Sequence, residues 1–170
     1  MSVEFLYFQK DVVFLGKHAR YIDEMWTQER VEQKDFFNRL YELYVTACIV
    51  GLRTGRRAPL DSSDGNKRTI QAGNLSTQRD KLDALMKLVL LLDESDKLSA
   101  EEKVNRAFRG PKSEEEFNHN VELFNSYARG GIEFLYEELK LRVLDLDDKY
   151  TDTRIGNIAA LLQNPFDKEI

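Results

Sequence analysis

A mainly helical single domain of about six helices, spanning residues 1–170 and led by a short extended segment, is the fold the sequence predicts. Three observations predict it. The 170 residues hold only nine Gly and three Pro, too few turn formers for a many-stranded β fold. Apolar residues recur at spacings of three and four along most of the chain, the period of an amphipathic helix. The length fits one ordinary domain with one core.

The elements follow in order. Residues 1–15 carry two apolar runs, Val3 to Phe8 and Val12 to Leu15, rich in β-branched and aromatic residues, which predict a short strand or extended pair. From Lys17 the spacing of Ala19, Ile22, Met25 and Trp26 predicts a helix ending near Gln28. The run from Phe36 to Arg53 predicts the principal helix, with Asp35 as N-cap and Gly55 as C-terminal glycine. Its apolar residues leave only a thin polar stripe at Arg39, Glu42, Thr46 and Arg53, so it belongs at the centre of the fold or at a subunit interface. Each large side chain buried there contributes roughly 1.5–3 kcal/mol.

Residues 54–76 predict a long basic loop, punctuated by Pro59 and Asp64-Gly65, with Thr69 to Ala72 briefly extended. A connection of that length is usually functional or mobile. Ser76 or Thr77 then opens a helix with Leu82, Leu85, Met86, Val89 and Leu92 on one face. Ser99 with Glu102, and Ser113 with Glu116, have the spacing of capping boxes. The helix after Ser113 meets Gly130-Gly131, which either separates two helices or lets two helices approach closely, and the pattern resumes through Leu135, Leu139, Val143 and Leu146. Asp152 should cap a last helix that turns Ile155, Ile158, Ala159 and Leu162 inward and ends at Asn164-Pro165.

Composition bounds the function. With 42% hydrophobic and 32% charged residues the chain is neither disordered nor membrane-embedded. No leader-like N-terminus and no long apolar run is visible, and the single cysteine suits a reducing compartment, so a cytoplasmic location is expected. A net charge of −5 argues against a domain held on nucleic acid by overall positive charge.

Any such contact must be local, and one segment offers it. Arg53, Arg56, Arg57, Lys67 and Arg68 stand against Asp61 and Asp64, a charge of +3 over residues 53–68 of an acidic chain. Guanidinium groups grip phosphates through bidentate hydrogen bonds, which makes these five the candidate anion or nucleic-acid site. The same cations also suit the negative end of the preceding helix and surface carboxylates. If all five touched phosphates, the logarithmic salt slope of binding would reach only about −4 to −5.

Other constellations are weaker. Glu116 and His119 have the Glu-x-x-His spacing of di-iron bundles, but the second copy such a centre needs is missing, and a solvated helix face is expected. Cys48, on the most apolar helix, reads as a small buried hydrophobe. Asp145, Asp147, Asp148 and Lys149, with Glu138 and Lys140, imitate a nuclease carboxylate-lysine group but follow helix-surface periodicity. Asp93-Glu94-Ser95-Asp96 lacks the glycine of a calcium loop and reads as a helix end, while Phe124 to Gly131 reads as packing. No catalytic residue, metal or cofactor is expected from these motifs.

Two stretches, Ala47-Cys48-Ile49-Val50-Gly51-Leu52-Arg53-Thr54-Gly55-Arg56-Arg57-Ala58-Pro59-Leu60 and Tyr127-Ala128-Arg129-Gly130-Gly131-Ile132-Glu133-Phe134-Leu135, resemble small bacterial proteins associated with the dnd DNA phosphorothioation systems. The resemblance covers about a quarter of the chain and implies an accessory protein encoded with phage-defence genes, working beside larger enzymes; it transfers no catalytic residue. The expected function is a non-enzymatic subunit that binds a protein partner or a second copy, with nucleic acid touched through residues 53–68. The alternatives are a phosphodiester- or nucleotide-processing enzyme using the basic loop and carboxylates, and a small nucleotide-sensing regulator.

Overall fold

The computed structural model describes residues 5–28, 35–142 and 153–163. Among them lie seven α-helices and one two-stranded sheet, so the predicted mainly helical class holds. The part of the first apolar run at Val3 and Glu4, the carboxylate-lysine group at 145–149, the helix positions Val143 and Leu146, and the boundary residues Asp152, Asn164 and Pro165 fall outside the described residues.

Strand β1, Val12–Leu15, pairs antiparallel with β2, Lys67–Ile70, in the register Val12 with Ile70 and Leu15 with Lys67. The second N-terminal run is therefore the strand, whereas Phe5 to Phe8 runs into a turn at Tyr7 and Phe8. Helix α1, Gly16–Met25, follows directly and buries Ala19, Ile22 and Met25.

Helix α2 spans Leu40–Thr54, four residues shorter at its start than the periodicity predicts. Phe36 lies in a bend and Phe37 bridges to Trp26, donating to the Met25 carbonyl at 3.0 Å and accepting from the Thr27 amide at 2.8 Å. This pairing satisfies backbone groups that a helix would otherwise hold, and it moves the N-cap from Asp35 to Arg39, whose amide donates to the Glu42 carboxylate. At the other end Gly55 adopts the left-handed conformation at φ 66°, as the sequence predicts.

Helix α6, Glu114–Tyr136, runs unbroken through Gly130-Gly131. Close approach is thus the reason for both glycines. A Cβ on Gly131 would overlap the Ala47 carbonyl of α2, one on Gly130 would overlap the Arg56 carbonyl, and one on Gly51 would overlap the Tyr127 carbonyl. Backbone meets backbone along this seam, and α2 with α6 forms the centre of the fold. Leu43, Tyr44, Ala47 and Cys48 pack there against Leu123, Phe124, Ala128 and Ile132, all almost fully buried. The Cys48 thiol has no exposure, and burial pushes its pKa far up.

The stretch predicted as one long loop is partly regular. Besides β2 it contains α3, Ala72–Ser76, before α4 begins at Arg79 and runs to Leu92. Ser76 and Thr77 do not cap α4. Their hydroxyls donate to the carbonyls of Gly73 and Asn74, at 2.8 and 2.9 Å, and so close α3. Helix α5, Ala100–Arg109, opens with the predicted capping box: Glu102 accepts from the Ser99 amide at 2.7 Å while Ser99 accepts from the Glu102 amide at 3.3 Å. Ser113 caps α6 in the same way, but Glu116 turns to the Lys112 amide, so only half the device forms.

A π-helical turn, Glu137–Leu141, extends α6. It positions α7, Thr153–Gln163, with a face opposite to the one predicted. Asn157 is the buried residue, donating to the Leu139 carbonyl at 2.9 Å, and Leu161 packs on the core. Ile155, Ile158 and Leu162 consequently face solvent.

Candidate functional site

The loop that carries the basic segment is tied down from both ends. Arg56 donates its amide to the Gly51 carbonyl at 2.9 Å, and the Ala58 amide donates to the Ser126 carbonyl at 3.0 Å. Arg129, almost fully buried, donates Nε to the Ala58 carbonyl at 2.8 Å and pairs with Glu122. Farther along, the Asp61 carboxylate accepts from the Lys17 amide at 2.7 Å, serving as a cap supplied from a distance to the first turn of α1. Hydrogen bonds from Lys17 and Ser63 hold Asp61 at a pKa of about 2.

The five predicted cations are not gathered into one cluster of outward-facing groups. Arg56 makes a bidentate pair with Glu137, at 2.6 and 2.9 Å, and its guanidinium lies 5.7 Å from the Phe134 ring centre. Arg57 donates Nε to the Ser126 hydroxyl at 2.8 Å and lies over the Tyr127 ring. Arg68, on β2, is forked onto Asp23 of α1, its second contact at 3.0 Å. Lys67 stands exposed beside it on the strand, and Arg53 lies at the exposed C-terminal end of α2.

Arg53 also lines a different feature. Between α2 and α4 an open groove of about 680 Å³ is walled by Val45, Ile49 and Leu52 on one side and Leu85, Leu88 and Leu92 on the other. Ile49 and Leu88 are each 49% exposed and Leu92 is 58% exposed. Among the described residues Arg53 and Lys81 are the charged ones of its lining. The sequence shows why it exists: α2 is apolar almost all round, and α6 covers only one side of it.

Two buried polar clusters escaped sequence reasoning. His18 is wholly buried, with Nε2 2.9 Å from Glu133, and Lys17 reaches the same carboxylate at 2.8 Å. Burial pushes the His18 pKa below its ordinary value, with Glu133 opposing that shift. Burial alone would raise Glu133, yet Lys17 and His18 hold it low. Asp93, at the end of α4, accepts from the Tyr127 hydroxyl at 2.7 Å and from Ser95 at 2.8 Å. Burial would raise its pKa too, but these donors and the Asp96 amide keep it low. The one signal for this pair was the unusual run Phe124 to Gly131. Of the suspected Glu-x-x-His pair, Glu116 faces the Lys112 amide and His119 faces Asp96 at 2.9 Å.

The chain is thus a helical protein with an apolar groove between α2 and α4 and a cationic loop pinned against its central helix. Its family is specific: the chain belongs to the DNA sulphur modification system-associated protein 4 family, whose model matches residues 17–153. That match takes in both stretches on which the dnd resemblance was read. No curated protein and no solved structure matches the chain. No helix among the described residues is long and apolar enough to cross a membrane.

Proposed function

We propose that this chain is a non-enzymatic, cytoplasmic accessory subunit of a bacterial DNA sulphur modification system that holds a partner protein in the groove between α2 and α4. One observation carries this reading: Ile49, Leu88 and Leu92 lie open to solvent between two helices whose other faces are deeply buried. Aliphatic side chains concentrated in a concave surface mark an interaction site rather than the scattered exposure usual on a monomer. Membership of a family associated with a multi-component system supports it.

Co-expression with the other proteins of the same system, followed by affinity purification through this chain, tests the proposal. The unaltered chain should retain a partner, and Ile49→Asp or Leu88→Asp should release it while circular dichroism and melting remain unchanged. Equal retention by both variants would overturn it.

A second contact, by residues 53–68 on nucleic acid, is favoured by the exposure of Lys67 and Arg57. Arg56 and Arg68 already neutralise Glu137 and Asp23, so phosphates would have to compete for them. Two effective cations give a salt slope of only about −2, a supplementary contact on DNA positioned by the partner.

A further inference from the structure

We infer that the chain carries a mononucleotide site in two adjoining cavities along the arm of residues 5–11, apart from the α2/α4 groove and independent of the docking reading above. The first cavity suits a base. It holds about 570 Å³ and is walled by the rings of Phe5, Phe8, Phe117 and Phe124 together with Asn118 and Asn125 of α6. The arm is built onto α6 ring by ring. Phe5 and Tyr7 stack on Phe117 with ring centres 5.5 and 5.1 Å apart, Phe8 meets Phe124 edge-on at 5.1 Å, and the Tyr7 hydroxyl accepts from the Asn120 amide at 2.8 Å. Phe8 also holds a left-handed backbone at φ 60°, a strained conformation of the kind that concentrates at ligand sites.

The amides of this cavity are available. The buried Tyr44 hydroxyl donates to the Asn125 amide oxygen at 2.8 Å, which fixes that amide and leaves its nitrogen, without a partner among the described residues, as a donor. Asn118 lies two turns earlier on the same face of α6, and its side chain has no partner among the described residues either. Rings that stack and amides that read the edge of a heterocycle together recognise a nucleobase.

Charge places the phosphate next door. The charged residues that line the first cavity, Lys10, Asp11 and Glu114, sum to −1. A second cavity of about 660 Å³ shares Phe5, Leu6 and Met86 with the first, so one ligand reaches both across those side chains. Its charged residues are Arg79, Lys87, Arg109 and Asp83, a balance of +2 in a chain that carries −5. Asp83 meets Arg79 at 3.6 Å. Lys87 stands over the Phe108 ring at 5.6 Å, a contact that leaves its charge unneutralised, and Arg109 has no acidic partner among the described residues. Two cations therefore remain to take a phosphate.

Isothermal titration calorimetry of the full-length chain provides the test, with the 5′-monophosphates of adenosine, guanosine, cytidine and uridine, the four nucleosides, and inorganic phosphate as probes. At least one nucleotide should bind, at least about tenfold more tightly than its nucleoside or phosphate alone, and salt should narrow its lead over the nucleoside. Lys87→Glu combined with Arg109→Glu, both at exposed positions, should erase that lead. Asn118→Leu, also at an exposed position, should weaken nucleotide and nucleoside alike. Binding of none of the four nucleotides, equal binding of nucleotide and nucleoside, or unchanged binding in these variants overturns the inference. So does tighter binding of a single-stranded oligonucleotide than of any mononucleotide, which would make the cavities part of a track for a nucleic-acid strand. Ile49→Asp should take up the nucleotide as the unaltered chain does, so failure here and failure of groove docking are told apart.

Discussion

Gly131 of α6 lies against the Ala47 carbonyl of α2 with no room for a side-chain atom between them. The main chains of the two central helices are thereby in contact, and every other packing distance around the seam follows from that approach. Gly131→Ala should force the helices apart and cost about 2–3 kcal/mol or more, which lowers the melting temperature by roughly 4–12 °C for a chain of this size. Gly73→Ala is the control, since a Cβ there meets open space. It should be neutral or slightly stabilising, as Ala is the better helix former. Thermal denaturation of the two variants side by side checks both.

The loop anchor makes a second expectation. Arg129→Met keeps the aliphatic length but removes the donor to the Ala58 carbonyl, leaving that acceptor without its guanidinium. A loss of about 1–3 kcal/mol should follow. Hydrogen exchange should accelerate selectively over residues 56–62, where an effect confined to α6 would leave it unchanged.

Tyr127→Phe deletes the hydroxyl that reaches Asp93 while keeping the ring under Arg57. Urea denaturation should show a loss of about 1–2 kcal/mol, because a buried carboxylate then lacks one of its donors. The double variant with Asp93→Asn should lose less than the sum of the single losses, which a double-mutant cycle measures.

Acid should weaken the fold in two stages. His18 is held neutral below its ordinary pKa of 6.5, so beneath that pH the unfolded chain binds a proton that the folded chain refuses, and stability falls until the native His18 itself titrates. Asp61, Asp93 and Glu133 are depressed in the folded state, so their contribution is complete above their ordinary values near 4 and is lost as the pH falls through their folded values, which for Asp61 lies at about 2. Urea midpoints measured from pH 8 to pH 3 should show both stages. His18→Gln should flatten the upper one and leave the part of the lower that Asp61 and Asp93 contribute.

How much of this was legible follows from which forces act locally. The capping box at Ser99 and Glu102 and the glycine at Gly55 were legible because a cap is decided within four residues. The place of Phe36 and Phe37 outside the helix was not, since the bridge of Phe37 depends on Trp26, eleven positions earlier. The face of α7 was read the wrong way round: Asn157 reaches a carbonyl in the π-helical turn while Ile155, Ile158 and Leu162 stay exposed, an arrangement that hydropathy does not reveal. The groove was partly legible, since a helix at 36–53 that is apolar almost all round foretold a face its neighbours would leave uncovered. That the five cations could pair with carboxylates was legible, but spacing could not show that Glu137, Asp23 and Ser126 would be the groups that meet Arg56, Arg68 and Arg57. His18 gave no signal, its partner Glu133 being 115 positions along the chain.

The enclosure of Cys48 beneath the α2/α6 seam equips the molecule with its own clock. A sulfhydryl shut away from water and held protonated does not meet alkylating reagents or oxidants while the helices stay together. Its rate of labelling by a maleimide therefore counts the openings of the interior.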